Sequence, residues 1–232
     1  VAERAVLGGG VEITSTNERR VTASIVEVDQ KADTVLLNGD VVLMQGRNVM
    51  KGRRLFIDRK AGKTRLDSPA QASLPAGRIS TRFYQNEQKG EIAKAQAKAK
   101  AEPASPIGPF ATSFKTDPTA PIDVDADSLD VAEQSKTAIY RGKVSARQGE
   151  FVLETSELSV LYSGQTGLAT PADGGEVAQN AQLRKIEARK KVVVTSKEGQ
   201  SATGDWADFD VKSNKVILGG KVVVSQGRNV VE

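Results

Sequence analysis

The stretch GDVVLMQG at residues 39–46 recurs as GKVSARQG at residues 142–149 and as GKVVVSQG at residues 220–227. The chain therefore contains the pattern G-x-V-x-x-x-Q-G three times. The similarity extends further, because residues 11–50 align without a gap on residues 192–231, with 16 of 40 positions identical. A repeat of this kind is one supersecondary unit copied along the chain, and one copy cannot bury its apolar face alone. The sequence thus predicts a stack of similar units.

Apolar side chains alternate within each repeat. In the first copy Val35, Leu37, Val41 and Leu43 share one parity, and the other two copies have the same alternation. A period of two over this length is typical of half-buried β-strands. The glycine of each Gln-Gly pair is expected in a tight turn with a positive φ. Each unit is therefore predicted to be two or three short antiparallel strands with one apolar face.

Composition excludes several functional classes. The chain has 232 residues, a formal net charge of +4, 4% aromatic residues, and neither Cys nor His. This charge is weak for a nucleic-acid-binding protein. The absence of His and Cys excludes Ser/His and Cys/His nucleophiles and the commonest zinc ligands. A hydrolase that uses only carboxylates remains an alternative, but the sequence does not place a carboxylate pair.

Composition also divides the chain. Residues 88–119 are rich in Ala and Lys and then in Pro, without an apolar period. We predict that they form a flexible linker between two β-repeat segments, residues 1–87 and residues 120–232. A second stretch, residues 163–179, is rich in Gly, Ala and Thr and is predicted to be an insertion between strands.

Four stretches of the chain resemble a known family. PIDVDADSLDV at residues 121–131 and AIYRGKV at residues 138–144 resemble the opening of the OstA-like (LptA) family of periplasmic lipopolysaccharide-transport proteins. ATGDWADFD at residues 202–210 and GRRLFID at residues 52–58 resemble the later strands of that family. One of the later-strand stretches precedes the opening stretch in this chain. The arrangement is therefore a tandem protein truncated in both copies, or a permuted domain.

The resemblance implies an all-β fold. In this family, repetitive antiparallel strands stack into a folded-over, taco-like β-jellyroll that is open along one side and contains an apolar groove. The resemblance also implies a non-enzymatic protein of the periplasm that moves lipopolysaccharide between the inner and outer membranes. Lipid A acyl chains would lie in the groove, and copies would join head to tail. The implied partners are lipopolysaccharide and the inner- and outer-membrane components of the same pathway, with no nucleic acid, cofactor, metal or catalytic residue.

A second hypothesis remains open, namely a structural β-stack that assembles with itself and carries no lipid. The candidate lipid-binding residues are apolar side chains that share a parity within the predicted strands, and for each one simple packing in a core is the alternative. They are Val26, Val28, Val41, Leu43, Leu55, Ile57, Leu129, Val131, Val144, Leu158, Val160, Val192, Val194, Phe209, Val222 and Val224.

Several polar residues are open to more than one interpretation. Asp123, Asp125 and Asp127 alternate along one predicted strand, but they lack the Gly and Glu spacing of a calcium loop, so no metal site is predicted. Arg47 and Arg228 follow Gln-Gly and are candidates for lipid phosphates or for solvated turn residues.

The triplet Arg-Lys-Lys at residues 189–191 is a candidate for anionic head groups or for the solvated start of a strand. Trp206 is predicted to face outward or to cover a sheet edge. The last copy has a long Val-rich stretch, residues 222–230, without proline. Its edge is predicted to pair with the N-terminal half of the chain or with another molecule.

Overall fold

A computed structural model describes residues 3–15, 19–71, 74–84, 120–166, 181–196, 199–210, 215–226 and 229–231. Within these ranges the regular secondary structure is entirely β-strand and all strand pairs are antiparallel, which confirms the predicted fold class. No helix in the described residues is long and apolar enough to cross a membrane. The predicted linker, residues 88–119, and most of the predicted insertion at 163–179 lie outside the described residues.

The described residues form one 15-stranded sheet. Its strands are β1 Arg4–Ser15, β2 Arg19–Asp29, β3 Thr34–Gln45, β4 Asn48–Asp58, β5 Lys63–Asp67, β6 Ile79–Phe83, β7 Ile122–Ala126, β8 Ser128–Ala132, β9 Thr137–Gln148, β10 Phe151–Ser163, β11 Gln182–Thr195, β12 Gln200–Asp210, β13 Lys215–Gly219, β14 Val223–Gln226 and β15 Asn229–Val231.

The sequence repeat corresponds to a repeat of strands. β1 to β4 form the first copy, and β11, β12, the β13–β14 pair and β15 form the third copy in the same order. In the middle copy β7 and β8 together take the place of β2, and β9 and β10 take the places of β3 and β4. The short strands β5 and β6 occupy the remaining position, because both pair with β4 on one side, while β5 pairs with β8 and β6 with β7 on the other.

The sheet consists of two layers. The long strands run through both, but β5, β8 and β13 lie in one layer, called here the upper layer, and β6, β7, β14 and β15 lie in the other, the lower layer. Both layers contribute to one hydrophobic cluster. Leu55 and Leu129 of the upper layer and Val41 and Val144 of the lower layer are each 1% exposed. Because the apolar faces of both layers share this cluster, the sheet is folded over on itself.

Each long strand bends where it passes from one layer to the other. In β3 the bend is at Gly39 and Asp40, whose φ values are 80° and 46°, and in β9 it is at Gly142 and Lys143, with 80° and 44°. The strand register shifts at the same places. The first glycine of G-x-V-x-x-x-Q-G therefore marks a bend in the middle of a strand.

The second glycine of the repeat lies in the turn that follows. Gly46 has a φ of 53° and Gly149 a φ of 57°, which confirms the predicted turn geometry at these two positions. Gly227, the third, lies outside the described residues. These two turns join β3 to β4 and β9 to β10 at the strand ends that lie away from the bends, and this side of the molecule is called the mouth below.

The two segments on either side of residues 88–119 meet edge to edge. β5 pairs with β8 in the upper layer, and β6 pairs with β7 in the lower layer. Arg65 donates a 2.9 Å hydrogen bond to Asp130 across the first of these pairs. The Thr81 hydroxyl lies 3.2 Å from the Val124 carbonyl oxygen across the second. Both layers are therefore continuous through the middle of the sheet.

Candidate functional site

Thirteen of the sixteen sequence-predicted apolar residues lie in the buried cluster or pack against it. Three of them, Val28, Val160 and Val194, are partly buried and pack against it. Phe209, Val222 and Val224 are half-buried and lie near the C-terminal end of the sheet. The remaining ten are buried, namely Val26, Val41, Leu43, Leu55, Ile57, Leu129, Val131, Val144, Leu158 and Val192. Whether any of them contacts lipid stays a prediction.

The two layers do not close completely in the first repeat. A small cavity of about 60 Å³, which opens to solvent, lies between them and is called here the first-repeat cavity. The lower layer contributes Ile13, Ser15, Arg19 and Val21, and the upper layer contributes Val35, Leu37, Leu55 and Ile57, with Arg59 in the turn that follows β4. Six of these nine side chains are apolar, so the cavity has two apolar walls that face each other.

Two arginines line the same cavity, and the sequence reasoning missed both. Arg19 is the first residue of β2 and shares the parity of Val21 and Ala23, which are buried. Burial lowers the pKa of Arg19, and an arginine still keeps its positive charge. The side chain of Arg59 is 26% exposed, and its guanidinium lies 3.7 Å from the Asp33 carboxylate. Arg19 alternates with Val21 and Ala23, and this spacing could have placed it on the inner face. A search for alternating apolar residues ignores it because it is charged.

The outer face carries a separate mixed-charge cluster around β11. The prediction that residues 189–191 form the solvated start of a strand is wrong, because Lys190 and Lys191 lie at a bend in the middle of β11 with φ values of 68° and 56°. Arg189 donates a 2.5 Å hydrogen bond to Asp208. The Arg189 guanidinium also lies 5.9 Å from the Trp206 ring centroid. Arg189 is therefore already engaged by protein groups.

Trp206 lies on the outer face, which is one of the two positions predicted for it. It is 37% exposed. Its ring covers the backbone of Gly219 on the neighbouring strand, leaving no space there for a Cβ.

The aspartates considered for calcium lie in different places. Asp123 forms a bidentate pair with Arg82, with distances of 2.6 and 2.9 Å, whereas Asp127 lies at a bend between β7 and β8. In the part of the chain that the structure describes, no group of three or more His, Cys, Asp or Glu side chains could hold a metal ion. The guanidinium of Arg47 stacks over the Tyr84 ring at 3.8 Å, and Arg228 lies outside the described residues.

Comparison with known proteins assigns the family. The model of the family described as "LptA/(LptD N-terminal domain) LPS transport protein" matches residues 16–105 and residues 123–232. The chain belongs to this family. The assignment confirms the resemblance that residues 52–58, 121–131, 138–144 and 202–210 predicted.

Two relatives illustrate the similarity. An uncharacterized protein of Rhizobium meliloti (strain 1021) is 33% identical over 112 residues, which is 47% of this chain and 55% of that protein. The chain thus spans about half the length of this relative. The crystal structure of LptH, the LptA-homologous periplasmic component of the lipopolysaccharide transport device of Pseudomonas aeruginosa, is 12% identical. That match covers 73% of this chain and 97% of LptH, with a TM-score of 0.41.

The two matches to the LptA/LptD N-terminal family divide the chain close to the place where its two segments meet. The first match includes β5 and β6, and the second includes nearly all of β7 and all of β8. These four strands form the pairs that join the segments within each layer. In this chain, therefore, two segments that match the lipopolysaccharide-transport family form a single folded-over sheet.

Proposed function

We propose that the protein is a non-enzymatic periplasmic carrier that binds the acyl chains of lipid A between its two layers. In this role it forms part of a bridge that conducts lipopolysaccharide from the inner to the outer membrane. The observation that supports the proposal best is the first-repeat cavity, an opening between apolar walls in a chain of the lipopolysaccharide-transport family. Its partners would be the inner- and outer-membrane components of that pathway.

The physical basis is the burial of hydrocarbon. Each methylene group removed from water contributes about 0.8 kcal/mol, so even a short length of acyl chain binds favourably between such walls. The walls of the first-repeat cavity are aliphatic, and the whole chain has only 4% aromatic residues. Aliphatic walls without bulky rings leave room for a flexible chain between the layers.

A pair of neighbouring residues on β4 tests the proposal. Ile57 lines the first-repeat cavity, whereas Phe56 points to the outer face and is 38% exposed. A photoreactive amino acid at position 57 should crosslink to lipopolysaccharide, and the same amino acid at position 56 should not. Leu158→Asp, which puts a charge at a position that is 2% exposed, should reduce capture in the same assay. Equal crosslinking at both positions, or none at either, would contradict the proposal.

Head-to-tail assembly is part of the proposed bridge. Among the described strands β1 pairs only with β2 and β13 only with β12, so both ends of the sheet present an edge. Val6 and Leu7 on β1 are 62% and 52% exposed, and Val216 and Ile217 on β13 are 60% and 57% exposed. Edges of this kind pair readily with strands of another molecule, and a head-to-tail contact that does not close produces chains.

Sedimentation tests the assembly. We expect oligomers larger than a dimer that grow with concentration and are weakened by Val216→Lys at one edge or by Val230→Pro next to it. A protein that is strictly monomeric from micromolar to sub-millimolar concentration would exclude intermolecular edge pairing. Mass spectrometry of a lipid extract separates the carrier from the alternative, because a structural β-stack without cargo would assemble and yet release no lipid.

A further inference from the structure

We infer that the first-repeat cavity is a head-group site, in which Arg19 and Arg59 bind the phosphate of an acylated lipid while its acyl chain lies between the apolar walls. The inference rests on the proposed function, since it assumes that acyl chains enter between the layers. It adds the two residues that recognise the charged head of the ligand and the repeat in which that head binds.

The two arginines come from opposite layers. Arg19 is the first residue of β2 and lies opposite Gln45 in the lower layer, and Arg59 follows β4 in the upper layer. Both positions lie at the mouth, and both side chains line the same cavity as Val21 and Ile57. The positive charges therefore lie at the opening and the aliphatic side chains lie deeper. This is the order in which a phosphorylated lipid presents its head and its chain.

The electrostatic environment favours an anion. A guanidinium carries its charge at all physiological pH values and binds phosphate through two parallel N–H donors. Arg19 is partly removed from water, which makes a charged hydrogen bond to it stronger than one on the surface. The contact of Arg59 with Asp33 is 3.7 Å long and the Asp33 side chain is 48% exposed, so solvent weakens this pair. A phosphate that enters with its acyl chain can therefore compete for Arg59.

Comparison with the other repeats separates the two arginines from the apolar walls, because the walls recur and the arginines do not. At an offset of 103 residues the positions of Arg19 and Arg59 are occupied by Ile122 and Tyr162, and at an offset of 181 residues Gln200 replaces Arg19. The wall positions stay apolar, because Leu55 and Ile57 correspond to Leu158 and Val160. The first repeat therefore combines apolar walls with a pair of cations, whereas the second repeat has neither cation and the third lacks the counterpart of Arg19. Since the repeats lie side by side in the sheet, the head-group site is confined to the part of the stack that begins at β1.

Binding of two matched lipids to the full chain tests the inference. The probes are a lysophosphatidic acid and the monoacylglycerol with the same acyl chain, both below their critical micelle concentrations, followed by titration calorimetry. We expect the wild-type protein to bind the phosphorylated lipid at least tenfold more tightly. Arg19→Gln, which introduces the residue of the third repeat, and Arg59→Gln should each remove most of this preference, so that the two lipids bind with similar affinity.

Two further variants serve as controls. Arg20 neighbours Arg19 in sequence but faces outward, with a side chain that is 56% exposed and a 2.8 Å contact to Glu12. Arg20→Gln should leave both affinities unchanged, and Arg19→Lys should keep part of the preference because the charge is retained. Circular dichroism melting shows whether each variant is folded, and Arg59, which lies in a turn, provides an independent measurement if Arg19→Gln unfolds.

The outcomes separate the inference from the proposed function. If the wild-type protein binds neither lipid, the carrier proposal fails and the inference with it. If it binds both lipids equally, or if the two Gln variants keep the tenfold preference, the carrier proposal stands and the inference is wrong. Inorganic phosphate is the third probe. If millimolar phosphate binds as tightly as the phosphorylated lipid, the arginines form a simple anion site and the inference is also overturned.

Discussion

The side chain of Asp127 occupies the space that a Cβ atom on Gly142 would need. Gly142 has a φ of 80°, which a residue with a side chain rarely adopts. The same relationship recurs in the other two repeats, between Ser24 and Gly39 and between Asp205 and Gly220. Each repeat thus bends where a glycine lies against a polar side chain, which comes from the preceding strand in two repeats and from the bend between β7 and β8 in the middle one.

A substitution at this bend should be costly. We expect Gly142→Ala to lower the free energy of unfolding by about 2–4 kcal/mol, because backbone strain and overpacking against Asp127 add together. Urea denaturation followed by circular dichroism measures the change. Gly199→Ala is the matched control, since Gly199 has a φ of 75° but nothing within 4 Å of an added Cβ, and it should cost only the strain. Combining Gly142→Ala with Asp127→Ala should recover part of the difference between the two, because the carboxylate is removed while the Cβ of residue 127 stays 2.8 Å from the added Cβ. A cost that stays the same would exclude the steric explanation.

Two substitutions in one buried hydrogen-bond chain should lower the stability of the protein by different amounts. The Tyr140 hydroxyl lies 3.1 Å from the Thr81 hydroxyl, which lies 3.2 Å from the Val124 carbonyl oxygen. Tyr140→Phe leaves Thr81 able to donate to Val124, so we expect a loss of about 1 kcal/mol. Thr81→Val leaves both neighbours without this partner and should cost about 1–3 kcal/mol. Chemical denaturation of the two variants tests the order, and equal losses would contradict the direction assigned to the hydrogen bonds.

The same tyrosine should make the protein sensitive to alkaline pH. Burial raises the pKa of Tyr140 above its ordinary value of 10.0, because the folded protein disfavours the charged phenolate. This contribution to stability is complete below pH 10 and is lost as the pH rises further, since only the unfolded chain ionises there. The expected slope is about 1.4 kcal/mol per pH unit. Tyr140→Phe should have a smaller slope in denaturation between pH 9 and 11, and an identical slope would show that other groups cause it.

Asp67 should contribute more than a surface carboxylate does. Its side chain is 10% exposed and accepts hydrogen bonds from Arg54 at 2.6 and 2.9 Å and from Arg65 at 3.1 Å. We expect Asp67→Asn to lower the free energy of unfolding by about 1.5–3 kcal/mol, the usual contribution of hydrogen bonds to charged groups. Asp123→Asn, which removes the exposed pair with Arg82, is the control and should cost less. High salt should reduce the cost of Asp123→Asn more than the cost of Asp67→Asn, and denaturation in low and high salt measures both.

The division of the chain proposed from composition remains to be tested. We expect limited trypsin digestion to cut first at Lys94, Lys98 or Lys100, within the predicted linker of residues 88–119. The two products should stay associated, because β5 pairs with β8 and β6 with β7. Mass spectrometry of the first fragments and size-exclusion chromatography of the nicked protein provide the measurements. First cuts within residues 190–230 would contradict the division.

Alternation and repetition in the sequence predicted the strands, but not the bends between the layers. Counting back from Leu55 in steps of two places Val49 on the inner face, yet the structure buries Met50 instead, at 4% exposure. The cause is a register shift, because Arg53 alone lies opposite Gly39 and Asp40 at the bend. A strand that gains or loses one residue at a bend changes its inner parity, and this depends on the neighbouring strand rather than on local sequence.

The bend at Lys190 and Lys191 could have been found from the repeat. At the offset of 181 residues these lysines correspond to Gly9 and Gly10, which have φ values of 90° and 86°. Two adjacent glycines predict such a backbone, whereas two lysines do not. The arginines of the first-repeat cavity could not be recognised in the same way, because nothing in the sequence shows that the turn after β4 lies opposite the start of β2.

The folded-over sheet relates the number of repeats to a physical length. Neighbouring strands are about 4.8 Å apart, so a repeat of four strands extends the space between the layers by about 19 Å. The hydrocarbon of one bilayer leaflet is about 15 Å thick, half of a core of about 30 Å. One repeat therefore matches the reach of one extended acyl chain laid across the strands. Adding or deleting a repeat would change the length of the space between the layers by about 19 Å and leave its width unchanged.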